Sequence, residues 1–221
     1  MGVPVTDYEK YWEERLSGEN KPLNGFQMER ADWVAARIRP STTVLDIGCG
    51  DGGILMRLRE KAKITPFGAD VSPTVLGYLE KRNIPSFQMD LNGQGLDGLP
   101  DCDHILLFEI LEHLQNPETL LRAAVSKARQ SVFFSIPNTG YFPYRLRMLF
   151  GFFPVQWRVH PGEHVRFWTL DDMRWWINEL GFSERCEITA YRGIPVLNKL
   201  FPNLFGMGII GEIKIPVRVE T

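Results

Sequence analysis

Two carboxylates lie among the glycines of one short stretch, DIGCGDGG, which begins at Asp46. Its glycines Gly48, Gly50 and Gly53 match the G-x-G-x-x-G spacing that brings a backbone close to a dinucleotide. Two unit charges about 4 Å apart interact by about 4 kcal/mol at an effective dielectric constant of 20, so Asp46 and Asp51 would repel the pyrophosphate of NAD. S-adenosylmethionine (SAM) carries a positively charged sulfonium and a positively charged ammonium. The two carboxylates attract these groups, so the charge of the loop favours SAM over NAD.

Aspartates also end the next two apolar runs. Asp70 ends ITPFGAD, 24 positions (70 − 46) after Asp46, where an acidic residue can accept hydrogen bonds from both ribose hydroxyls. Asp90 ends PSFQMD, where a carboxylate can accept from an adenine amine while Met89 or Leu91 packs on the ring. Each aspartate alone also suits a helix N-cap or a solvated loop end. The ordered set of three favours a SAM site.

Alternating strands and helices must position these residues. Apolar runs bounded by turn residues predict strands, and amphipathic runs between them predict helices. The alternation predicts an α/β fold with a doubly wound, largely parallel sheet, in which the loops after the strands lie together. Predicted strands cover 43–47, 64–70, 85–90, 104–110, 131–137, 183–191 and 211–219, and predicted helices cover 7–16, 23–38, 53–62, 73–82, 117–128 and 169–182.

The domain prediction has two parts. Residues 1–40 form an N-terminal helical lid or cap, and residues 41–221 form the SAM-binding domain, with an aromatic insertion at about 138–168. Aromatic residues of the first helix either cover the cofactor or pack in the core, and they are Tyr8, Tyr11 and Trp12. The insertion contains YRLRMLFGFFPVQWR, for which an acceptor-pocket wall, a partner-binding surface and a membrane-surface patch are the alternatives, in that order of preference.

Composition excludes several classes of function. A net charge of −2 gives no basic field for a nucleic acid. Three cysteines without C-x-x-C spacing do not form a disulfide framework, which predicts a reducing, cytoplasmic location. No apolar run approaches the roughly 18 residues of a membrane span, so no integral membrane segment is expected.

Four segments taken in order, VLDIGCGDGG, GADVS, QMDLN and HILLFEILEHL, resemble the successive motifs of class I SAM-dependent methyltransferases over about residues 42–137. The resemblance implies a Rossmann-like, seven-stranded sheet whose last strand is antiparallel and lies between the fifth and sixth. It places the methionine end of SAM at the glycine loop and the methyl group where the fourth strand opens. The predicted cofactor site comprises Asp46, Gly48, Cys49, Gly50, Asp70, Val71, Asp90, Leu91, Phe108, Glu109 and Tyr11, with Cys49 interpreted as a small packing residue.

A closer resemblance joins GLDGLPDCDHILL and FFSIPNTGYFPYRLRMLFG to the methionine-biosynthesis W-type (MetW-like) proteins. It implies an accessory or regulatory protein that binds SAM and partners a methionine-pathway homoserine acyltransferase. The stretch FEILEHL departs from that branch and carries the Glu-x-x-Glu-His pattern usual in small-molecule methyltransferases of the ubiquinone-biosynthesis type. Three hypotheses follow: a SAM-dependent methyltransferase with a small-molecule acceptor, an accessory protein, and, least favoured, an NAD-dependent dehydrogenase.

Three histidines are the candidates for the catalytic base that removes a proton from the acceptor: His113, His160 and His164. The alternative for His113 is a hydrogen bond within the adjoining turn, and for His164 a structural role in its loop. A metal site is not expected. EILEH has Glu109 where the zinc-peptidase pattern H-x-x-E-H has its first histidine, and Pro161-Gly162 interrupts any helix between His160 and His164.

Overall fold

Seven strands form one mixed sheet in the computed structural model, which describes residues 8–16, 22–91, 95–154, 156 and 164–216. The strands are β1 Thr43–Ile47, β2 Thr65–Asp70, β3 Ser86–Gln88, β4 His104–Phe108, β5 Ser131–Pro137, β6 Cys186–Tyr191 and β7 Gly208–Lys214. Their order is β3-β2-β1-β4-β5-β7-β6. β1 pairs in parallel with β2 and β4, and β2 with β3, whereas β7 runs antiparallel to both β5 and β6. The predicted position of the antiparallel last strand is confirmed.

Helices alternate with the strands, as predicted for an α/β protein. They are α1 Tyr8–Leu16, α2 Gly25–Ala35, α3 Gly53–Ala62, α4 Pro73–Glu80, α5 Pro117–Lys127, α6 Phe142–Leu149, α7 Leu170–Glu179, α8 Leu197–Leu200 and α9 Pro202–Phe205. Local chemistry sets several ends. Ser72 caps α4, with Pro73 in its first turn, and Thr169 begins α7 with a reciprocal capping box to Asp172. Gly181 follows α7 in the left-handed conformation (φ 79°), as expected for a glycine that ends a helix.

The structure departs from the sequence prediction in several segments. β3 is three residues long instead of six, residues 183–185 form a 3-10 turn before β6, and β7 begins at Gly208 instead of 211. Three helices were not predicted: α6, whose short pattern is surrounded by prolines and glycines, and the four-residue helices α8 and α9. No side chain of α6 is buried, and the interpretation of this segment as a wall of the acceptor pocket stays a prediction.

The chain divides into two compact units. The first comprises Met1–Leu106 with Lys127–Arg129, and the second comprises Leu107–Ser126 with Gln130–Thr221, so β4 begins in one and ends in the other. In the first unit β1 and β2 bury Val44, Leu45 and Ala69. In the second, β5 and β7 contribute Phe133, Phe134, Ile209 and Ile210, and Gly211 leaves the space that the Phe134 ring fills. Burial of apolar side chains such as these is the main stabilising term of each unit.

A buried asparagine holds the chain where it leaves β5. Asn138 donates from Nδ2 to the carbonyl oxygens of Asn203 (3.1 Å) and Gly206 (2.7 Å), and its Oδ1 accepts from the Gly140 amide (2.9 Å). Its full burial is tolerated because its polar atoms are satisfied. The start of the aromatic segment is therefore fixed to the end of the sheet.

Among the described residues, no helix is both long enough and apolar enough to cross a membrane.

Candidate functional site

The glycine loop follows β1 in the first unit. Gly48 (φ 71°) and Gly50 (φ 51°) adopt the left-handed conformation that favours glycine. Space is a second constraint at Gly50, because a Cβ built there would lie 2.6 Å from Cη2 of Trp12. Gly53, the third glycine of the spacing, begins α3 and packs against Leu23, where a Cβ would be 2.4 Å from Cδ2. The loop therefore depends on glycine for conformation and for close packing.

Backbone amides of this loop donate hydrogen bonds within the chain. Gly48 and Cys49 donate to the Ala69 carbonyl oxygen (2.8 and 3.1 Å), Gly50 to Asp70 Oδ2 (3.0 Å), Gly52 to the Cys49 carbonyl oxygen (3.0 Å) and Gly53 to Asp51 Oδ1 (3.1 Å). Each of these five amides has an acceptor within the chain. These amides are therefore not available to bind an anionic pyrophosphate, which dinucleotide-binding loops hold with backbone N–H donors.

Asp46 is a buried carboxyl group near the end of β1, with 3% of its surface exposed. Burial raises its pKa to about 8, the positive charge of Arg30 acts in the opposite direction, and Asp70 and Asp51 raise it further. Arg30 lies on α2 and is itself buried, at 6% exposure. Arg30 was not predicted from the sequence, because α2 precedes the recognisable motifs. A buried carboxyl group and a buried guanidinium thus interact electrostatically beside the glycine loop.

Asp70 connects the end of β2 to the glycine loop. Its Oδ2 accepts from the Gly50 amide (3.0 Å), and its Oδ1 accepts from the Ser72 amide (3.1 Å). Burial raises the pKa of Asp70, and these backbone hydrogen bonds oppose the shift. Each carboxylate oxygen can accept a second hydrogen bond, so the predicted role toward ribose hydroxyls stays open to this side chain.

Cys49 packs inside the loop, as the sequence predicted. A Cβ on Gly68 of β2 would lie 2.9 Å from its Sγ, so the thiol fills the space that this glycine leaves. Burial raises the pKa of Cys49 well above its usual value, and the nearby carboxylates of Asp46 and Asp70 add to the rise. A neutral, buried thiol is a poor nucleophile, which agrees with a packing role.

Helix α1 contacts the loop and the start of α4. Glu9 accepts hydrogen bonds from the Ser72 hydroxyl (2.5 Å) and the Thr74 amide (3.1 Å). The ring that meets Gly50 belongs to Trp12, and Tyr11 packs edge-on against Trp12 with 5.1 Å between ring centroids. The contact with the glycine loop is therefore made by Trp12, and the predicted cofactor residue Tyr11 packs beside it. The lid role of α1 stays a prediction.

The residues predicted to bind adenosine follow β2 and β3. Val71 is 42% exposed, Asp90 is exposed and Leu91 is half-buried, so a ligand can reach them. Met89 is buried, and its amide donates to the Asp70 carbonyl oxygen (3.0 Å). This bond holds the end of β3 next to the end of β2, so Asp90 and Asp70 lie at the same edge of the sheet in the first unit.

In the second unit, Glu109 follows Phe108 at the end of β4 with a positive φ of 55°. A left-handed conformation costs a non-glycine residue about 1–2 kcal/mol, and such strain concentrates at functional sites. Hydrogen bonds to Ser135 hold it: the Glu109 amide donates to the Ser135 carbonyl oxygen (2.9 Å), and Glu109 Oε1 accepts from the Ser135 hydroxyl (2.8 Å). Burial raises the pKa of Tyr144, and Tyr141 and Glu109 raise it further. Sequence reasoning missed both tyrosines.

The second unit also contains a cluster of Glu112, His113 and His164, which we call the histidine cluster. One possible ligand atom from each side chain lies within 4.8 Å of the others. The His113 and His164 rings are perpendicular, with centroids 4.7 Å apart. The Val165 amide donates to the Glu112 carbonyl oxygen (2.9 Å), which holds the segment after His164 against the turn that carries Glu112. Two of the three predicted bases therefore meet, and the third, His160, lies outside the described residues.

The expectation of no metal site rested on spacing along the chain, and spacing cannot detect this cluster. His164 comes 51 positions (164 − 113) after His113, so only the fold brings the two together. Glu112 was not among the predicted site residues, although FEILEHL contains it. The described residues thus do contain a set of side chains that could ligate a metal ion.

The burial of Asp46 predicts that Asp46→Asn changes stability in a pH-dependent way. The folded-state pKa of about 8 exceeds the ordinary value of 3.8, so the folded protein binds this proton more tightly and loses stability as pH rises between them. The variant cannot ionise. Its free energy of unfolding should match wild type near pH 4 and exceed it increasingly toward pH 8, by up to roughly 1 kcal/mol per pH unit.

Urea titrations at several pH values measure this difference, and Asp32→Asn is the matched control. Arg57 and Lys61 hydrogen-bond Asp32 and hold its pKa well below the usual range, so its contribution is present near pH 7 and is lost as pH falls through the acid range. Because the Asp32 side chain is 42% exposed, its loss should cost about 1 kcal/mol or less. Equal pH profiles for the two variants would contradict the burial argument.

The chain matches the family model described as "Methyltransferase domain" over residues 22–186. It is 30% identical to ubiquinone biosynthesis O-methyltransferase of Xanthomonas campestris pv. campestris over 124 residues, 53% of this chain and 51% of that protein. The chain thus spans about half the length of that relative. The enzyme of the same name from Erwinia tasmaniensis is 28% identical over 210 residues, 86% of this chain and 81% of that protein.

Solved structures share the fold. The magnesium protoporphyrin IX methyltransferase of Synechocystis PCC 6803 with bound SAH aligns with a TM-score of 0.62 at 19% identity, covering 95% of both chains. A SAM-dependent methyltransferase from Archaeoglobus fulgidus aligns with a TM-score of 0.61 at 20% identity, covering 94% of this chain and all of that one. With the family model covering residues 22–186, the chain belongs to the methyltransferase-domain family.

Proposed function

We propose that the protein is a SAM-dependent methyltransferase that acts on a small-molecule acceptor. The observation that carries the proposal is the buried pair Asp46 and Arg30 beside a loop whose amides donate within the chain. The methionine end of SAM carries an ammonium and a carboxylate, and a buried carboxylate with a buried guanidinium complements both charges. In the proposal, Asp46 binds the ammonium and Arg30 binds the carboxylate.

The remaining contacts to SAM follow the order of the strands. Asp70 accepts from the ribose hydroxyls, and Asp90 accepts from the adenine amine, with Val71 and Leu91 packing beside it. Trp12 covers the glycine loop. An NAD-dependent dehydrogenase is disfavoured because the loop amides already have acceptors and Asp46, Asp51 and Asp70 would face the pyrophosphate.

The second unit supplies the acid–base chemistry. SAM, when bound, supplies an activated methyl carbon for an in-line displacement. Phe108 and Glu109 are the residues that the methyltransferase resemblance assigns to the methyl group, and the strained backbone of Glu109 supports a functional role. Removal of the acceptor proton is assigned to the histidine cluster, since loss of that proton makes the acceptor atom nucleophilic. Holding the acceptor in line with the methyl group contributes further acceleration.

An oxygen acceptor is the finer proposal. Relatives from Xanthomonas and Erwinia carry the name ubiquinone biosynthesis O-methyltransferase, and the Glu-x-x-Glu-His pattern of that type is present here from Glu109 to His113. We propose a phenolic or enolic hydroxyl as the methylated group, in a cytoplasmic enzyme. The W-type resemblance leaves an acyltransferase partner as the alternative, but neither the family model nor the named relatives support an accessory role.

The cofactor assignment is tested by calorimetry with SAM and with NAD. Wild type should bind SAM and not NAD. Arg30→Gln should weaken SAM binding by about tenfold or more, because a charged hydrogen bond of about 1.5–3 kcal/mol is lost. Arg39→Gln, which alters an exposed arginine, is the control and should bind SAM as wild type does. Tighter binding of NAD than of SAM, or the same loss in both variants, would refute the assignment.

The activity is tested with methyl-labelled SAM and a panel of small phenols and catechols. Wild type should transfer label, and His164→Asn should slow transfer by about 100-fold or more, the usual contribution of a group that assists proton removal. SAM affinity should stay unchanged, since none of the proposed contacts to SAM involves His164. Absence of labelled product from every hydroxyl compound, together with capture of an acyltransferase, would support the accessory role instead.

A further inference from the structure

We propose that Glu112, His113 and His164 bind one divalent transition-metal ion. The three side chains offer two imidazole nitrogens and one carboxylate oxygen, all within 4.8 Å of one another. In protein sites these ligands lie about 2.0–2.2 Å from zinc, so ligand atoms around one ion are roughly 3–4 Å apart. Shortening the longest of these separations by roughly 1–2 Å would bring the ligand atoms to that spacing.

The orientation of the rings supports a common point of coordination. The lone pair of an imidazole nitrogen lies in the plane of its ring. The His113 and His164 planes are perpendicular, with centroids 4.7 Å apart, so both nitrogens can point at one position along the line where the planes cross. Face-to-face stacking would have directed the lone pairs in parallel and excluded a shared ion.

Backbone contacts fix the distance between the two segments that carry the ligands. The Glu112 carbonyl oxygen accepts from the amides of Val165 (2.9 Å) and Arg166 (3.1 Å), and the Arg166 guanidinium donates to the Gln115 carbonyl oxygen. Glu112 is 1% exposed and His164 is 9% exposed, so these ligands belong to a built interior site. Such preorganisation lowers the cost of assembling the ligands around an ion.

The donor set indicates the class of metal. Two imidazoles and one carboxylate suit zinc, iron, cobalt or manganese, whereas magnesium and calcium prefer sites made of oxygen ligands. Three protein ligands also leave at least one coordination position open, as in catalytic zinc sites. A ligand that presents an oxygen atom could occupy that position.

Combined with the proposed function, on which this step rests, the open position would receive the acceptor hydroxyl. Coordination lowers the pKa of a bound hydroxyl group, so its proton passes to solvent at neutral pH. The acceptor oxygen then forms a bond to the methyl carbon, the carbon–sulfur bond breaks, and its electron pair stays on sulfur. As ligands, His113 and His164 would promote loss of the acceptor proton through the bound ion, which is the role that the proposed function assigns to the histidine cluster.

The test titrates the chelator-treated full-length chain with Co²⁺ and with Zn²⁺. We expect one ion per chain and a visible Co²⁺ absorption band typical of nitrogen and oxygen ligands. Glu112→Gln, His113→Asn and His164→Asn should each weaken binding by about tenfold or more, since even the partners of metal ligands cost 10–100-fold. Glu184→Gln removes an exposed carboxylate from the same unit and should bind as wild type does.

Thermal melting and SAM calorimetry on every variant establish that each has folded. No saturable binding of Co²⁺ or Zn²⁺ by wild type would overturn the proposal, and so would binding that the three variants leave unchanged. If metal binds but no hydroxyl compound is methylated, the site stands and the proposed function fails. If methyl transfer proceeds without metal at the full rate, the function stands and the catalytic role of the metal fails.

Discussion

Burial of a carboxyl group at the end of β1 is the constraint on which the first unit depends. Removing Asp46 from water is costly, and that cost appears as the rise of its pKa to about 8. Arg30 offsets part of the cost, which explains why α2 presents a charged side chain to the interior. A core built for stability alone would place an apolar residue here. The burial of both side chains is explained if they bind a ligand that carries an ammonium and a carboxylate.

Hydrogen bonds within the chain fix the shape of the glycine loop. Five of its amides donate to the carbonyl oxygens of Ala69 and Cys49 and to the carboxylates of Asp51 and Asp70. A dinucleotide loop directs comparable donors at a pyrophosphate. Glycine spacing alone does not separate these two designs, because both need positive φ and close packing. The acceptors of the amide hydrogen bonds distinguish the two designs. In this loop the acceptors belong to the chain itself, which disfavours a pyrophosphate, as do the carboxyl groups of Asp46 and Asp51.

Periodicity predicted most of the fold because local chemistry controls it. The strands 43–47 and 131–137 and the helix 53–62 have the predicted bounds, since clear apolar patterns end at turn or capping residues. The short extent of β3 was beyond sequence reasoning, because tertiary contacts determine where such a weak pattern ends, and α6 was missed because prolines and glycines surround its short pattern. The same holds within the site. Asp46 and Asp70 could be predicted because each lies at or near the end of a predicted strand. Arg30 and the histidine cluster could not, because contacts between segments that are distant in the sequence bring them into place.

Proton release on SAM binding tests the role of Asp46 most directly. At pH 6.5 the buried carboxyl of the free protein carries a proton, whereas the ammonium of free SAM, with a pKa of about 8, is already charged. Calorimetry in buffers with different ionisation enthalpies counts the protons exchanged. An ionic contact between Asp46 and the ammonium predicts release of about one proton per SAM by wild type and none by Asp46→Asn. SAM binding by wild type with a heat independent of the buffer would contradict the ionic contact.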